Sequence, residues 1–203
     1  MGSVSEVLII IFTSLIGYFL GSINSSLIVG KFYGVDVRKH GSGNAGATNT
    51  LRTLGKKAAI IATLGDLIKG FVACIIGLLL AKEMGIMIAG IAAIIGHNWP
   101  IYFEFKGGKG VLTSLAVVLM MDPKIALIVL GSFIIIVAIT KFVSLGSIVT
   151  SALFPILAAT LFGKTLEFII FSSILAFLII FKHRTNIVRI IKGTESKLGA
   201  KKK

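Results

Sequence analysis

Seven apolar runs, separated by short polar or charged segments, organise this chain. They cover roughly residues 7–30, 58–81, 84–105, 110–121, 124–140, 146–163 and 166–182. None alternates apolar and polar residues at period two, and most approach the ~20 residues that cross a bilayer core. The pattern therefore predicts membrane-spanning helices, not the strands of an outer-membrane barrel. The fourth run, VLTSLAVVLMM, is too short for a straight crossing and is expected to be a short or half-helix. Asp122 and Pro123 offer a cap and a first-position proline for the fifth. The first run has no basic segment ahead of it and is long enough to span, so a retained helix is expected, not a cleaved signal. The expected fold is all-α, a polytopic helical membrane protein forming a single domain over residues 1–203.

Composition narrows the class. Of 203 residues, 56% are hydrophobic and 14% charged, whereas soluble domains carry about a quarter charged residues. The net charge of +13 could suit nucleic acid, but the aromatics are mostly Phe inside apolar runs, so no nucleic-acid partner is expected. A lipid bilayer and anionic substrates are the expected partners. Cys74 is the only cysteine and sits in an apolar run, and His40, His97 and His183 lack ligand spacing, so neither a disulfide nor a metal is expected.

Charge also orients the chain. Seven crossings put the termini on opposite sides. One side then receives Lys31, Arg38, Lys39, Arg52, Lys56 and Lys57, together with Lys106, Lys109, Lys141 and the basic tail from Lys182 to Lys203. The other side receives only Lys82, Lys124 and Lys164, beside Glu6, Glu83, Asp122 and Glu167. The excess of Lys and Arg predicts that the first side is cytoplasmic, with the N-terminus outside and the C-terminus in the cytoplasm.

Three segments on that side carry candidate chemistry. The first is GSGNAGATNTLR, residues 41–52. Gly41, Gly43 and Gly46 allow turns in which backbone N–H groups share one concavity. Ser42, Asn44, Thr48 and Asn49 add side-chain donors, and Arg52 adds a planar fork for phosphate. The stretch fits GxGxxG formally, but no strand is expected before it and Asp66 falls in an apolar helix, so a dinucleotide site is rejected. The second segment is GHNWPIYFEFKGGKGV, residues 96–111. Gly107, Gly108 and Gly110 around Lys109 suggest a phosphate cradle. It is not a Walker loop, because Phe103 replaces its first glycine and Gly110 its hydroxyl residue. Trp99 and Tyr102 read as interfacial belt residues.

The third segment is KHRTNIVRIIKGTE, residues 182–195. His183 and Asn186, at i and i+3, can share a helix face, and His183 can move a proton near neutral pH. Lys197 and Lys201 to Lys203 read as headgroup contacts. Ser144, near Lys141, can add a hydroxyl donor to a phosphate. Within the spans, Asp66 and Lys69 lie at i and i+3 and are expected to pair, since either charge alone is costly in hydrocarbon. Gly17 and Gly21 mark a close-packing helix face.

These segments, in this order, resemble the signature motifs of the bacterial acyl-phosphate:glycerol-3-phosphate acyltransferases, the PlsY family. Trp99 stands where a phenylalanine is usual and Leu112 where a small residue is common; Asp66-Leu-Ile-Lys69-Gly70 also fits. The resemblance implies a multi-pass enzyme of the bacterial cytoplasmic (inner) membrane, its active site facing the cytoplasm. Such an enzyme transfers an acyl group from acyl phosphate to the 1-hydroxyl of glycerol 3-phosphate without a cofactor. It further implies that Gly107, Gly108, Lys109 and Gly110 bind glycerol 3-phosphate, and that Ser42, Arg52, His183 and Asn186 are the family's catalytic residues. Glu195 is implied to be structural.

The chemistry fits those residue types. An acyl phosphate is already activated, so the enzyme has to hold two mutually repelling phosphates and aim a hydroxyl at the carbonyl. The proton acceptor is His183, with His97 behind it, or a phosphate oxygen of the substrate itself. The rival reading from another class is a transporter of a small phosphorylated solute. Against it stand cradles expected on one face and the lack of an internal repeat.

Overall fold

Small and polar residues, not large apolar ones, line the inner face of the first helix. In α1 (Val4–Ser22) the buried positions are Thr13, Gly17, Gly21 and Ser22, while Leu8, Ile11, Phe12, Leu15 and Phe19 are exposed. Lipid tails are as apolar as leucine, so helices in a bilayer associate through close backbone approach and hydrogen bonds. The computed structural model describes residues 4–199, and among them there is no strand. The headgroup contacts expected of Lys201 to Lys203 lie outside the described residues.

The chain divides into two compact units after Met121. The first contains α1, α2 (Ser25–Phe32), α3 (Ala47–Leu54), α4 (Lys56–Asn98) and α5 (Val111–Met121), with short 3-10 turns at Val37–Lys39 and Ile101–Phe103. The run expected as one helix over 7–30 is broken at Ile23 and Asn24. Asn24 is extended and its side chain accepts the Leu27 N–H at 3.0 Å, starting α2 afresh. Asparagine does this because its side chain competes for nearby backbone groups. The break frees backbone groups that lipid cannot satisfy. Lys69 Nζ donates to Ile23 O at 2.9 Å, and the Ser25 N–H is directed at Asp66 Oδ1 at 3.5 Å.

Helix α4 runs for 43 residues but is non-helical at Ala81 and Lys82, so it forms two limbs. The break falls beside the charged Lys82-Glu83 pair that separated the runs 58–81 and 84–105. The limbs fold back tightly, since a Cβ on Gly85 would lie 1.9 Å from Gly77 O. The second limb also meets α1, where a Cβ on Gly21 would lie 2.0 Å from Ala93 O. This limb ends at Asn98, not near 105. Pro100 has no N–H to donate and disfavours helix in the residue before it.

The second unit contains α6 (Pro123–Thr140), α7 (Val143–Thr160), α8 (Leu166–Lys182) and α9 (Arg184–Ile191). Asp122 caps α6 as expected, accepting the N–H groups of Lys124 and Ile125 at 2.9 and 3.0 Å. Its other oxygen lies 2.7 Å from Lys164 Nζ. Burial pushes the Asp122 carboxyl up, but the Lys164 ammonium and the two N–H donors outweigh it and hold the group below its ordinary range. Helix α7 begins and ends three residues earlier than the expected 146–163, because Lys141 terminates α6 in a left-handed conformation (φ +63°) and Val143 starts the next helix. Phe154 joins α7 to α8 through edge contacts with Phe168 and Phe171. Helix α8 spans the expected 166–182.

Four described segments are long and apolar enough to cross a bilayer: Val4–Phe32, Lys56–Phe103, Pro123–Thr140 and Val143–Thr160. Helices α8 and α9, bent by 58°, make a fifth if the pair is one span. Helix α5 has 11 residues.

Candidate active site

In the first unit, the glycine-rich segment is a turn locked from beneath by Asn49. Gly41 and Gly43 have φ of +61° and +72°, a region that favours glycine. Asn49 is 1% exposed. Its Oδ1 accepts the Ser42 N–H at 2.8 Å, and its Nδ2 donates to Val37 O at 2.7 Å and His40 O at 3.0 Å. The Gly43 N–H goes to His40 O and the Gly46 N–H to Asn44 O, each at 3.0 Å. This corrects the expected nest. The N–H groups of Ser42, Gly43 and Gly46 hold the turn together, and both hydrogens of the Asn49 amide are committed to backbone carbonyls. Gly46 caps α3 with extended backbone, and α3 carries Arg52, half-buried, in its last turn.

The turn sits on an apolar plug of Leu27, Val37 and Ala45, against which Leu54 and Phe103 pack. Asn24 Nδ2 donates to Ala45 O at 3.2 Å. Arg38 pairs with Asp36 at 2.9 Å and also donates to Phe103 O at 3.2 Å. The Arg38 guanidinium holds the Asp36 carboxyl below its usual range. The first two sequence segments are thus built into one another. A recess of about 310 Å³ beside them, lined by Leu27, Lys31, Asp36, Arg38 and Phe103 among others, contains none of the predicted anion-binding residues.

The second segment turns back on the end of α4. Glu104 and Phe105 both adopt positive φ, +57° and +58°, and the Gly108 N–H then donates to His97 O at 3.1 Å. A Cβ on Gly108 would lie 2.2 Å from His97 Nε2 and 2.5 Å from Ala45 O, so only glycine fits between the two motifs. Lys109 is half-buried, and Gly110, at φ +78°, leads into α5. Behind this loop lies a buried polar group. Lys69 Nζ stands 2.9 Å from Asp66 Oδ1 and 2.8 Å from His97 Nδ1. The expected Asp66–Lys69 pair is therefore present, extended by a histidine.

His97, expected as the reserve base, is held at Nδ1 inside this buried group. An ammonium has three donors and no acceptor. Those of Lys69 meet Asp66 Oδ1, Ile23 O and His97 Nδ1, and the same Nδ1 lies 3.6 Å from Asp66 Oδ1.

In the second unit, Glu195 is the hub of the third segment. Its Oε1 accepts from Ser144 Oγ and from Asn186 Nδ2, each at 2.7 Å, and its Oε2 accepts from Arg189 Nε at 2.6 Å. Burial pushes the Glu195 carboxyl up, but the Arg189, Ser144 and Asn186 donors outweigh it and hold the group below its usual range. Ser144 was expected as a donor to phosphate; here its hydrogen is given to Glu195. His183 is 3% exposed and sits at the bend between α8 and α9. Its Nδ1 lies 2.8 Å from Ile179 O. A carbonyl can only accept, so Nδ1 carries a proton and directs it at that carbonyl. His183 is the N-cap of α9, its carbonyl accepting the Ile187 N–H at 2.9 Å, and Asn186 follows one turn on, so the i, i+3 pair stands at the start of α9 with both side chains buried. The tail folds back as well: the Leu198 N–H donates to Lys141 O at 2.7 Å, and the exposed Lys197 lies over the Phe142 ring at 5.7 Å.

The profile of the family described as "Glycerol-3-phosphate acyltransferase" matches residues 11–193. The chain belongs to that family. It is 48% identical over 192 residues to the glycerol-3-phosphate acyltransferase of Thermoanaerobacter sp. (strain X514), covering 94% of this chain and 96% of that one. It is 46% identical over 204 residues to the one from Clostridioides difficile (strain 630), covering 97% and 99%. Among solved structures, it is similar to PlsY (YgiH), an integral membrane glycerol 3-phosphate acyltransferase, in its glycerol 3-phosphate form. The TM-score is 0.88 at 35% identity, with 94% of this chain and 96% of that one covered. The lysophosphatidic acid form gives 0.85 at 34%, with 94% and 95% covered. This glycerol-3-phosphate acyltransferase family member is thus an integral membrane protein.

Within this family member, the predicted residues fall into two kinds. Gly41, Gly43, Gly46, Asn49, Gly107 and Gly108 shape the loops that carry Ser42, Asn44 and Lys109, while Arg52 stands on α3. Glu195 orders Ser144, Asn186 and Arg189. Two features went unread in the sequence. One is the attachment of His97 to the Asp66–Lys69 pair, for which the depth of a polar histidine in an apolar run was the available signal. The other is the centrality of Glu195, for which a lone acid in a basic tail was the signal. Among the described residues, no cluster of three His, Cys, Asp or Glu side chains is placed to hold a metal ion.

Proposed function

We propose that this family member takes its acyl group from an acyl phosphate and places it on the 1-hydroxyl of sn-glycerol 3-phosphate. The products are 1-acyl-glycerol 3-phosphate (lysophosphatidic acid) and inorganic phosphate, the first acylation of bacterial phospholipid synthesis. The chain is an acyltransferase acting on glycerol 3-phosphate. The observation that carries this reading is the family match over residues 11–193, which takes in the first two segments and the third as far as Gly193.

The hydroxyl oxygen attacks the acyl carbonyl carbon, and a new C–O bond forms as the bond to the phosphate oxygen breaks. Phosphate leaves with the electron pair, and the hydroxyl proton has to be accepted. In this reading Lys109, with Gly107, Gly108 and Gly110, holds glycerol 3-phosphate. Ser42, Asn44 and Arg52 serve the phosphate charge, and His183 and Asn186 serve the reacting centre. Fixed donors aimed at charge that develops in the transition state are the main lever available to such a site. The Nδ1 contact of His183 with Ile179 O supports Nε2 as the acceptor. The competing acceptor is a phosphate oxygen of the substrate, and normal turnover by His183→Ala would select it.

The same reading has the whole chain acting as a single domain with seven crossings: α1 with α2, the two limbs of α4, then α5, α6, α7 and α8. Helix α5, about 16 Å long at 1.5 Å per residue, supplies the short one. The excess of Lys and Arg on one side supports an outside N-terminus and an active site at the cytoplasmic face of the bacterial inner membrane.

The relatives named above are acyltransferases, which favours transfer over transport of a phosphorylated solute. The test is to give the purified protein palmitoyl phosphate with and without glycerol 3-phosphate. Phosphate release that depends on the acceptor, with lysophosphatidic acid formed in equal amount, is the expected result. Counterflow of glycerol 3-phosphate in sealed vesicles without acyl transfer would overturn it.

A further inference from the structure

Asp66 and Lys69 lie inside α4, remote in sequence from every glycine motif. Burying a charged pair is expensive, and a hydrophobic pair of similar volume is often as stable. Closing the Ile23–Asn24 break explains two contacts, the donation from Lys69 to Ile23 O and the approach of the Ser25 N–H to Asp66. It does not explain the third donor of Lys69, which meets His97 Nδ1 at 2.8 Å.

His97 in turn is the residue on which the glycine-lysine loop rests. Its carbonyl accepts the Gly108 N–H at 3.1 Å. A Cβ on Gly107 would lie 2.0 Å from that carbonyl oxygen, and one on Gly108 would lie 2.2 Å from the ring Nε2. Both glycines before Lys109 are therefore moulded onto His97, one on its backbone and one on its ring. Turning the ring shifts the surface that sets where Lys109 stands.

We infer that Asp66 and Lys69 are positioning residues for the glycine-lysine loop: their ion pair fixes the ring of His97, and His97 fixes Gly107 and Gly108. Lys69 supplies the hydrogen that His97 Nδ1 accepts, and Asp66 keeps Lys69 charged and aimed. The inference rests on the reading that Lys109 holds glycerol 3-phosphate.

The experiment compares Lys69→Met, Asp66→Asn and Lys109→Ala in steady-state assays that vary each substrate separately. A loop displaced by a fraction of an ångström should raise the KM for glycerol 3-phosphate by about tenfold in Lys69→Met and Asp66→Asn. The KM for acyl phosphate and kcat should stay near wild type, the pattern of a lost binding contact. Because the two residues act as a unit, the double variant should be no worse than either single one. If Lys109→Ala raises the KM for glycerol 3-phosphate and Lys69→Met does not, the positioning inference is overturned and the loop reading survives. If Lys109→Ala leaves that KM unchanged, the loop reading itself has failed. A variant that does not fold is covered by a second measurement on the wild-type protein. The ring 15N shifts of His97, assigned with His97→Gln, should show the proton on Nε2; a proton on Nδ1 overturns the inference.

Discussion

Glu195 Oε1 accepts the side-chain amide of Asn186 at 2.7 Å. The same oxygen takes the hydroxyl of Ser144 from 51 residues earlier in the chain. One carboxylate therefore sets the orientation of two residues predicted to serve substrate, and Arg189 balances its charge.

Hydrogen bonds to a charged group contribute about 1.5–3 kcal/mol each. Glu195→Gln keeps the shape but loses the charge and one acceptor. It is expected to lower kcat/KM by about 10- to 100-fold, the same energy expressed as a rate. Initial rates with palmitoyl phosphate and glycerol 3-phosphate measure this, and wild-type activity in that variant would refute the hub.

The acid side of the stability profile should carry the signature of the same carboxyl. Its folded-state pKa lies below the ordinary 4.5. Its contribution is therefore complete above that ordinary value and is lost as pH falls through the lowered one. Thermal unfolding in detergent, followed from neutral pH downward, should show wild type approaching Glu195→Gln as the pH drops below about 4.5. Curves that keep their separation at low pH would contradict the assignment.

Asn49 offers a sharper test because its two ends do different things. Asn49→Asp keeps an acceptor for the Ser42 N–H but places an oxygen against the Val37 and His40 carbonyls. It should be at least as damaging as Asn49→Ala, with a loss of about 1–3 kcal/mol for the buried groups left unsatisfied. Unfolding midpoints of the two variants, measured side by side, decide it. A donor role toward substrate would instead lower activity and leave the midpoint in place.

Gly108→Ala meets the His97 ring on one side and Ala45 O on the other. Overpacking of this kind typically costs about 1–3 kcal/mol. Since Ala45 belongs to the first motif and Gly108 to the second, glycerol 3-phosphate saturation should weaken by about tenfold or more. Gly131, with open space where an added methyl would stand, is the control: Gly131→Ala should leave saturation unchanged.

Much of this protein was legible in one dimension. Apolar runs free of alternation are helices in a bilayer because each backbone polar group must be satisfied within its own segment. The break at Lys82, the cap at Asp122 and the whole of α8 followed from that and from local chemistry. The glycine-rich segments were legible because turns at positive φ and close approaches leave few other residues to choose from.

What the sequence left open were matters of who stands beside whom. Nothing local says that Asn49 turns its amide onto Val37 and His40, that Glu195 gathers Ser144 and Asn186, or that Lys69 reaches His97. Each is a polar side chain with several possible partners in a nearly water-free interior. Where water cannot fill a vacant bond, partners are chosen by packing across distant segments, and only the folded chain makes that choice.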